Sequence, residues 1–257
     1  MAGRLPVVVL HERKIYFGRA AGDDFLTECA AADGFVDRGG RITDISAFVG
    51  VVNGFLPKKK FKKTRVNLIV KTPECLLRFA KPPAVARGDL DGLIRNNLNE
   101  YFPNPGGYTV SYRLVGDGEN PAVFFAALPE GFAAPYIEAF TRCGIVIDKL
   151  DIFQNAAASA HGSWDASSMF ITVYEDRVCA LYIENGMPRA ARDIRRAYGA
   201  DAGRALRDEL QMFARLYGMG RGAALYVAEP DSGEAAALFP EMELKTINMT
   251  EILSKYV

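Results

Sequence analysis

The chain has 257 residues, with 31 basic and 31 acidic side chains, 49% apolar, 24% charged and 11% aromatic residues. That balance is that of a globular protein with enough chain to bury a core, as one large domain or two small lobes, and it excludes disorder, collagen-like repeats and coiled coil. Zero formal net charge supplies no global field toward an acidic partner, so nucleic acid is not expected as one.

In chain order, residues 5–10 and 14–19 are apolar runs joined by the charged tip His11-Glu12-Arg13, and 25–32 adds a third strand of an antiparallel meander. From 42 to 55 apolar residues fall at Ile42, Ile45, Phe48, Val49, Val52 and Phe55. That spacing predicts a helix, with Thr43 or Asp44 able to cap it and Pro57 to end it. Strands follow at 66–71 and 75–80, before the break at Pro82-Pro83. A helix is predicted over 89–101, a hairpin over 108–115 and 122–128, a helix over 135–142 and a strand over 145–150, together a compact α+β unit of the split β-α-β kind. After an Ala-rich helix at 156–160, three strands recur at 169–174, 177–183 and 188–194, the last two joined by Asn185-Gly186, a strong hairpin signal. An amphipathic helix at 202–217 precedes a strand at 224–228, a helix at 235–239, a strand at 242–247 and a helix at 250–256. The plan is duplicated: each end of the chain holds a three-strand meander followed by a helix and a strand.

The four cysteines, Cys29, Cys75, Cys143 and Cys179, form no Cys-x-x-Cys pair, and the two histidines, His11 and His161, have no second ligand at metal spacing. No metal is expected. The N-terminus is interrupted by charge too early for a signal peptide, and the longest apolar stretch, 122–128, is far short of the roughly 20 residues a spanning helix takes. A cytoplasmic location is expected.

Two meander-plus-helix lobes with a small α+β unit inserted in the first resemble the actin-like (ribonuclease H-like) fold. Particular residues add to this: Asn97-Leu98-Asn99-Glu100-Tyr101-Phe102-Pro103 with Tyr112, then Arg142-Cys143-Gly144-Ile145 leading to Asp148-Lys149-Leu150-Asp151-Ile152 and Ala156. These are similar to the inserted subdomain of the PilM family, the actin-like cytoplasmic proteins of type IV pilus assembly, to which the cytoplasmic part of the type II secretion protein GspL is related. The run from Gly186 through Met187-Pro188-Arg189 to Ile194 is similar to the family's segment after its second phosphate hairpin. The fold class implied is mixed α+β, with a first lobe over 1–72, an inserted subdomain over 73–152 and a second lobe over 153–257. Only 194–202 separate the third strand of the second lobe from its helix, so the subdomain that encloses nucleotide in complete actin-like ATPases is expected to be reduced or absent.

Actin-like ATPases hold phosphates with two Asp-x-Gly hairpins, because glycine lets backbone amides approach the oxygens. Here the turns read Leu10-His11-Glu12-Arg13-Lys14 and Val173-Tyr174-Glu175-Asp176-Arg177, neither with Asp-x-Gly, and Glu12 and Asp176 read as solvated tips. The family's adenosine-contacting Gly-Gly pair corresponds to Ala228-Glu229-Pro230-Asp231-Ser232-Gly233, where only Gly233 stands in. No catalytic residue, cofactor site or ATP binding is therefore expected: the resemblance is to a degenerate member, a pseudo-ATPase. No Walker-type phosphate loop occurs. Gly218-Met219-Gly220-Arg221-Gly222 follows a helix and reads as its cap. Ser159, His161, Ser163 and Asp165 carry hydrolase residue types without a nucleophile elbow, and Asp148 and Asp151 are a carboxylate pair at a strand end that reads as capping and solvation.

Two features point to partners. Lys58, Lys59, Lys60, Lys62, Lys63 and Arg65 place six basic residues within eight positions. They read either as a solvated loop or as a surface facing anionic lipid or an acidic membrane-anchored partner, at ~1 kcal/mol per cation. The resemblance implies a groove between the first lobe and the inserted subdomain that takes a short N-terminal peptide, of Ile-Asn-Leu-Leu type, from an inner-membrane PilN-like protein. Val51 and Phe55 are its expected neighbours here. Ile247-Asn248-Met249 reads as a last strand and helix cap, or as a counterpart of that peptide within the same chain. The preferred reading is a non-enzymatic scaffold at the cytoplasmic face of a pilus or secretion platform, docking a membrane partner and a motor ATPase. The alternatives are an actin-like ATPase with divergent phosphate loops and an unrelated α+β enzyme.

Overall fold

The structure, a computed structural model, describes residues 5–21, 24–55, 65–83, 87–101, 106–115, 122–160, 167–196, 202–219, 224–240 and 243–256. The first lobe is built on β1 (Val7–His11), β2 (Lys14–Ala21), β3 (Asp24–Ala31), helix α1 (Ile45–Phe55) and β4 (Arg65–Lys71). An insertion follows: β5 (Leu76–Ala80), α2 (Arg87–Asn96), α3 (Leu98–Tyr101), β6 (Tyr108–Val115) and β7 (Ala122–Pro129). The chain returns through α4 (Glu130–Arg142), β8 (Val146–Ile152) and α5 (Phe153–Ala160). The second lobe holds β9 (Ser167–Val173), β10 (Arg177–Glu184), β11 (Met187–Arg195), α6 (Ala202–Leu216), β12 (Ala224–Ala228), α7 (Ser232–Leu238), β13 (Leu244–Ile247) and α8 (Met249–Tyr256).

The two large sheets have the same order, β3-β2-β1-β4-β8 and β11-β10-β9-β12-β13, and the insertion forms a small sheet β5-β7-β6. In each large sheet the meander is antiparallel and the last two strands join in parallel. β1 is buried along its whole length, as a strand covered on both faces must be. Its side chains divide between two cores. Val8 and Leu10 face α1 and α4 with Phe48, Tyr136 and Phe140, whereas Val7 and Val9 face a second core around Phe153 of α5 and Ile252 and Leu253 of α8. The second core also takes Phe170, Leu181 and Tyr226 from the other sheet. Helices α5 and α8 are thus sandwiched between the lobes, which share one apolar interior. Met169, Ile171 and Val173 point to the far side and pack on α6 and α7.

The expected end of the insertion at residue 152 is corrected by the ladder. β8 pairs in parallel with β4, and α4 packs on α1, so residues 130–152 belong to the first lobe and the insertion is confined to 73–129. The period of α4 hid this, because Pro135 reads as a helix start, whereas the helix begins at Glu130 and carries Pro135 inside it. Asp44 does cap α1, its Oδ1 accepting from the Ala47 amide at 3.0 Å.

Phe48 is fully buried and meets Phe35, Tyr136 and Phe140 edge-on. Phe48→Ala is expected to lower unfolding free energy by about 3–5 kcal/mol, read from urea denaturation followed by circular dichroism.

Candidate functional site

The carboxyl ends of the central strands of both sheets converge on a cleft between the lobes. His11 and Lys71, the last residues of β1 and β4, are register partners. Opposite them a 3-10 turn, Glu229–Asp231, continues β12 and brings Asp231 into the junction. Lys71 Nζ donates to Asp231 Oδ1 at 2.6 Å and to Glu12 Oε1 at 2.9 Å, and lies 5.3 Å from the centre of the Tyr174 ring. Asp231 Oδ2 accepts from the Val173 amide at 3.4 Å. His11 Nε2 is 3.3 Å from Asp231 Oδ1, a close approach without hydrogen-bond alignment, and its ring meets Phe153 edge-on at 4.9 Å. Gln154 Nε2 donates to the Tyr174 hydroxyl at 2.9 Å. Lys71 and His11 are each 1% exposed and Asp231 3%.

The electrostatics follow from that burial. Desolvation favours a neutral Asp231, but the adjacent His11 and Lys71 outweigh it and hold the carboxylate well below its usual range, at about 2. His11 moves downward, chiefly because burial disfavours the imidazolium and secondarily because the Lys71 charge repels it. The Tyr174 hydroxyl is pushed up by burial. The resting state is therefore an ammonium–carboxylate pair beside a neutral imidazole. Sequence reasoning missed Lys71 and Asp231. The available signal was a lysine closing the apolar run 66–71.

Outside this cluster the cleft widens to about 990 Å³. Its walls carry Arg13, Lys14, Arg38, Arg177 and Arg196 against Glu12, Asp33, Glu175, Asp176 and Glu234, five charges of each sign. Pairs cancel locally: Arg13–Asp33 at 3.5 Å, Arg177–Asp176 at 3.0 Å and Arg196 with Glu234. Arg38–Glu175, at 3.2 Å, crosses between the lobes. Glu12 takes φ +55°, so β1 and β2 close through a tight two-residue turn. Its carboxylate, half-exposed, is drawn toward Lys71, not left as a purely solvated tip. Among the described residues no group of three or more His, Cys, Asp or Glu is placed to hold a metal ion.

A second concavity, about 290 Å³, lies between the insertion and the first lobe. One face of the small sheet supplies the cross-strand pairs Thr109/Leu128, Ser111/Ala126 and Arg113/Phe124. The opposite wall is β8 from Lys149 to Ile152, with Asn155 and Ser159 one turn apart on α5. β8 is the edge of its sheet, and four consecutive residues line the groove, so the groove runs along the strand's open side. Arg113 lies 5.5 Å from the Phe124 ring centre. Its Nε and Nη2, and Asn155 Oδ1, are buried without a hydrogen-bond partner among the described residues. Burial lowers the pKa of Arg113, partly offset by Asp151. Asp151 itself is saturated, accepting from the Ile152 amide, Asn155 Nδ2 and the Tyr256 hydroxyl, each at 2.8 Å. Asp148 pairs with Arg65, so the two carboxylates do not form an acid/base pair.

Val51 and Phe55 are half-buried against the first-lobe core, Phe55 stacking on Phe17 at 4.5 Å, and neither lines this groove. Lys58, Lys59, Lys60, Lys62 and Lys63 lie outside the described residues. Ile247 and Met249 are buried, and Asn248 Oδ1 accepts from the Glu251 amide at 2.7 Å, the helix-cap arrangement.

No protein-family model matches the chain, and no curated protein matches it in sequence. Solved structures do. The chain is similar to the PilM-PilN type IV pilus biogenesis complex at 16% identity and TM-score 0.69, covering 97% of this chain and 89% of that one. A Bacteroides thetaiotaomicron protein with an actin-like ATPase fold and unknown function gives 10% identity and TM-score 0.55, over 98% and 95% of the two chains. The cytoplasmic domain of EpsL, an inner-membrane component of the type II secretion system of Vibrio cholerae, gives 8% and 0.55, over 98% and 93%. The fold is therefore actin-like, of the kind seen in PilM and EpsL, with two matched lobes and one insertion.

Because the folded state keeps His11 neutral while the unfolded chain protonates it at pH ~6.5, its contribution is present above that pH and is lost as pH falls below it. Stability is expected to drop by ~1.4 kcal/mol per pH unit on this account. His11→Gln should flatten the segment of a urea-midpoint profile between about pH 6.5 and 5, relative to the unsubstituted protein.

Proposed function

We propose that this chain is a non-enzymatic docking protein at the cytoplasmic face of an inner-membrane assembly platform of the type IV pilus or type II secretion class, and that it binds an extended segment of a membrane-anchored partner. The carrying observation is the groove between the insertion and β8. Its open strand edge is suited to adding a peptide backbone, and the apolar patches Phe124, Ala126 and Leu128 give pockets for alternate side chains. The buried, unpartnered Arg113 donors and Asn155 Oδ1 acceptor give such a peptide polar groups to satisfy, since an orphaned buried donor costs ~1–3 kcal/mol. The type IV pilus complex whose fold this chain shares pairs PilM with PilN, and a PilN-like partner fits this groove's position. No described helix is long and apolar enough to cross a membrane. A motor ATPase belongs to the same reading as a second partner, on another surface.

Calorimetric titration with a synthetic peptide carrying Ile-Asn-Leu-Leu is expected to show binding that Ala126→Trp, which fills the groove, weakens by at least about tenfold, or ~1.4 kcal/mol. Equal binding by both proteins, or none by the unsubstituted one, sinks the reading.

The basic stretch 58–65 is proposed as a peripheral contact with anionic lipid. In liposome flotation, changing Lys59, Lys60, Lys62 and Lys63 to Glu should abolish association with vesicles rich in phosphatidylglycerol, given ~1 kcal/mol per cation near the surface. Absence of association in the first place removes the idea.

A further inference from the structure

We infer that the buried Lys71–Asp231 pair takes the place of a Mg-nucleotide as the strut between the lobes, and that the cleft is closed to nucleotide by charge, not by size. At about 990 Å³ the space is ample for a nucleotide. What it lacks is an amide-lined end, and the one buried ammonium at its inner end is already engaged. An ammonium has three donors. Here Asp231 at 2.6 Å and Glu12 at 2.9 Å take two, and the third side of Nζ faces the Tyr174 ring. A phosphate reaching Lys71 would have to displace one of the two carboxylates. Displacing Asp231 strands a charge that is 3% exposed, which is the costly way to break a buried pair.

The hairpin tips argue the same way. A phosphate-binding turn aims successive backbone N–H groups at the anion. The first turn here closes through Glu12 at φ +55°, whose carboxylate lines the cleft and accepts from Lys71 Nζ. The second closes by a Tyr174 amide to Arg177 carbonyl bond at 2.9 Å, leaving Glu175 to bridge to Arg38. A polyphosphate would meet Glu12, Glu175 and Asp176 at the tips beside Arg13, Lys14 and Arg177, so it gains no net cationic cradle there. Residues with these contacts do not fit a Mg-nucleotide, and the lobes are tied without one. Lobe spacing in this protein is consequently insensitive to nucleotide concentration. The inference stands apart from the peptide groove: failure of peptide binding leaves it untouched.

Two measurements on the full chain test it. Titration with Mg·ATP and Mg·ADP at low ionic strength should give no saturable heat; a micromolar dissociation constant for either overturns the closed cleft. The strut is tested by a mutant cycle of Lys71→Met, Asp231→Leu and the double variant, read as urea midpoints. Lys71→Met strands Asp231, and Asp231→Leu leaves the buried ammonium with only the half-exposed Glu12, so the double variant should unfold at a higher urea concentration than either single one. A double variant whose loss is the sum of the two single losses, or that fails to fold where the singles fold, overturns the strut. Should a single variant not fold, a folded double variant is the expected result, and an unfolded one again counts against the strut.

Discussion

Two opposite charges withdrawn from water sit where the two lobes meet. The Lys71–Asp231 contact, 2.6 Å long and with both groups nearly inaccessible, joins the last residue of a first-lobe strand to the turn after a second-lobe strand. Desolvating such groups costs several kcal/mol each, repaid only when geometry is good and the remaining donors and acceptors are satisfied. Here they are, by Glu12 for the lysine and by the Val173 amide for the aspartate. The pair therefore does little for stability relative to an apolar contact of equal shape. What it does is select one relative placement of the lobes, because any shear or opening leaves a charge buried alone. His11 works within the same constraint: it stays neutral chiefly because burial disfavours the imidazolium, and secondarily because the Lys71 charge repels it.

The apolar interior sets up that geometry. Helices α5 and α8 lie between the sheets and belong to both lobes at once, so β1, β4, β9 and β12 are brought together at their carboxyl ends. Helix α5 then connects the two concavities. Phe153 touches the His11 ring and Gln154 bonds Tyr174 on the cleft side, while Asn155 and Ser159 line the groove. Asp151, at the junction of β8 and α5, fixes the helix start through Asn155 and reaches α8 through Tyr256. The wall of the groove is in this way referenced to the same buried frame as the ion pair, and a peptide laid along β8 meets a preorganised surface. Preorganisation lowers the ordering cost of binding.

Much of the architecture was legible from period and punctuation. The apolar runs 5–10 and 14–19, the Asn185-Gly186 hairpin, the helical spacing of Phe48, Val49 and Val52 and the helix cap at Asn248 all reflect local rules that tertiary contacts did not override. The boundary of the insertion was not legible. A strand such as 146–152 carries no mark of which sheet it will join, and a proline inside α4 mimics a helix start. The cleft cluster was hidden for a related reason. Lys71 and Asp231 are 160 positions apart, and each alone reads as an ordinary charge at the end of an apolar run. Only the parallel register of β1 with β4, and the placement of β12 across the cleft, makes them partners. The groove residues Thr109, Ser111 and Arg113 were equally mute, since alternating polar side chains on a strand read as a solvent face until another wall stands opposite them.

An actin-like fold usually draws attention to its cleft, yet the chemistry of this chain shifts the interest to its flank. In the cleft, eight charged side chains cancel in four pairs, and the central lysine is held by two carboxylates. In the groove, buried polar atoms are left over: two guanidinium nitrogens of Arg113 and one amide oxygen of Asn155. Buried polar atoms are overwhelmingly paired in native structures, and under the proposed function a partner's backbone supplies the bonds these three lack. The cleft, where His11 Nε2 and Gln154 Oε1 are also without a partner among the described residues, has its central ion pair satisfied, and the flank has Arg113 and Asn155 left over. The first holds the lobes in one arrangement, and the second needs that arrangement to keep Arg113 and β8 at a fixed separation across the groove.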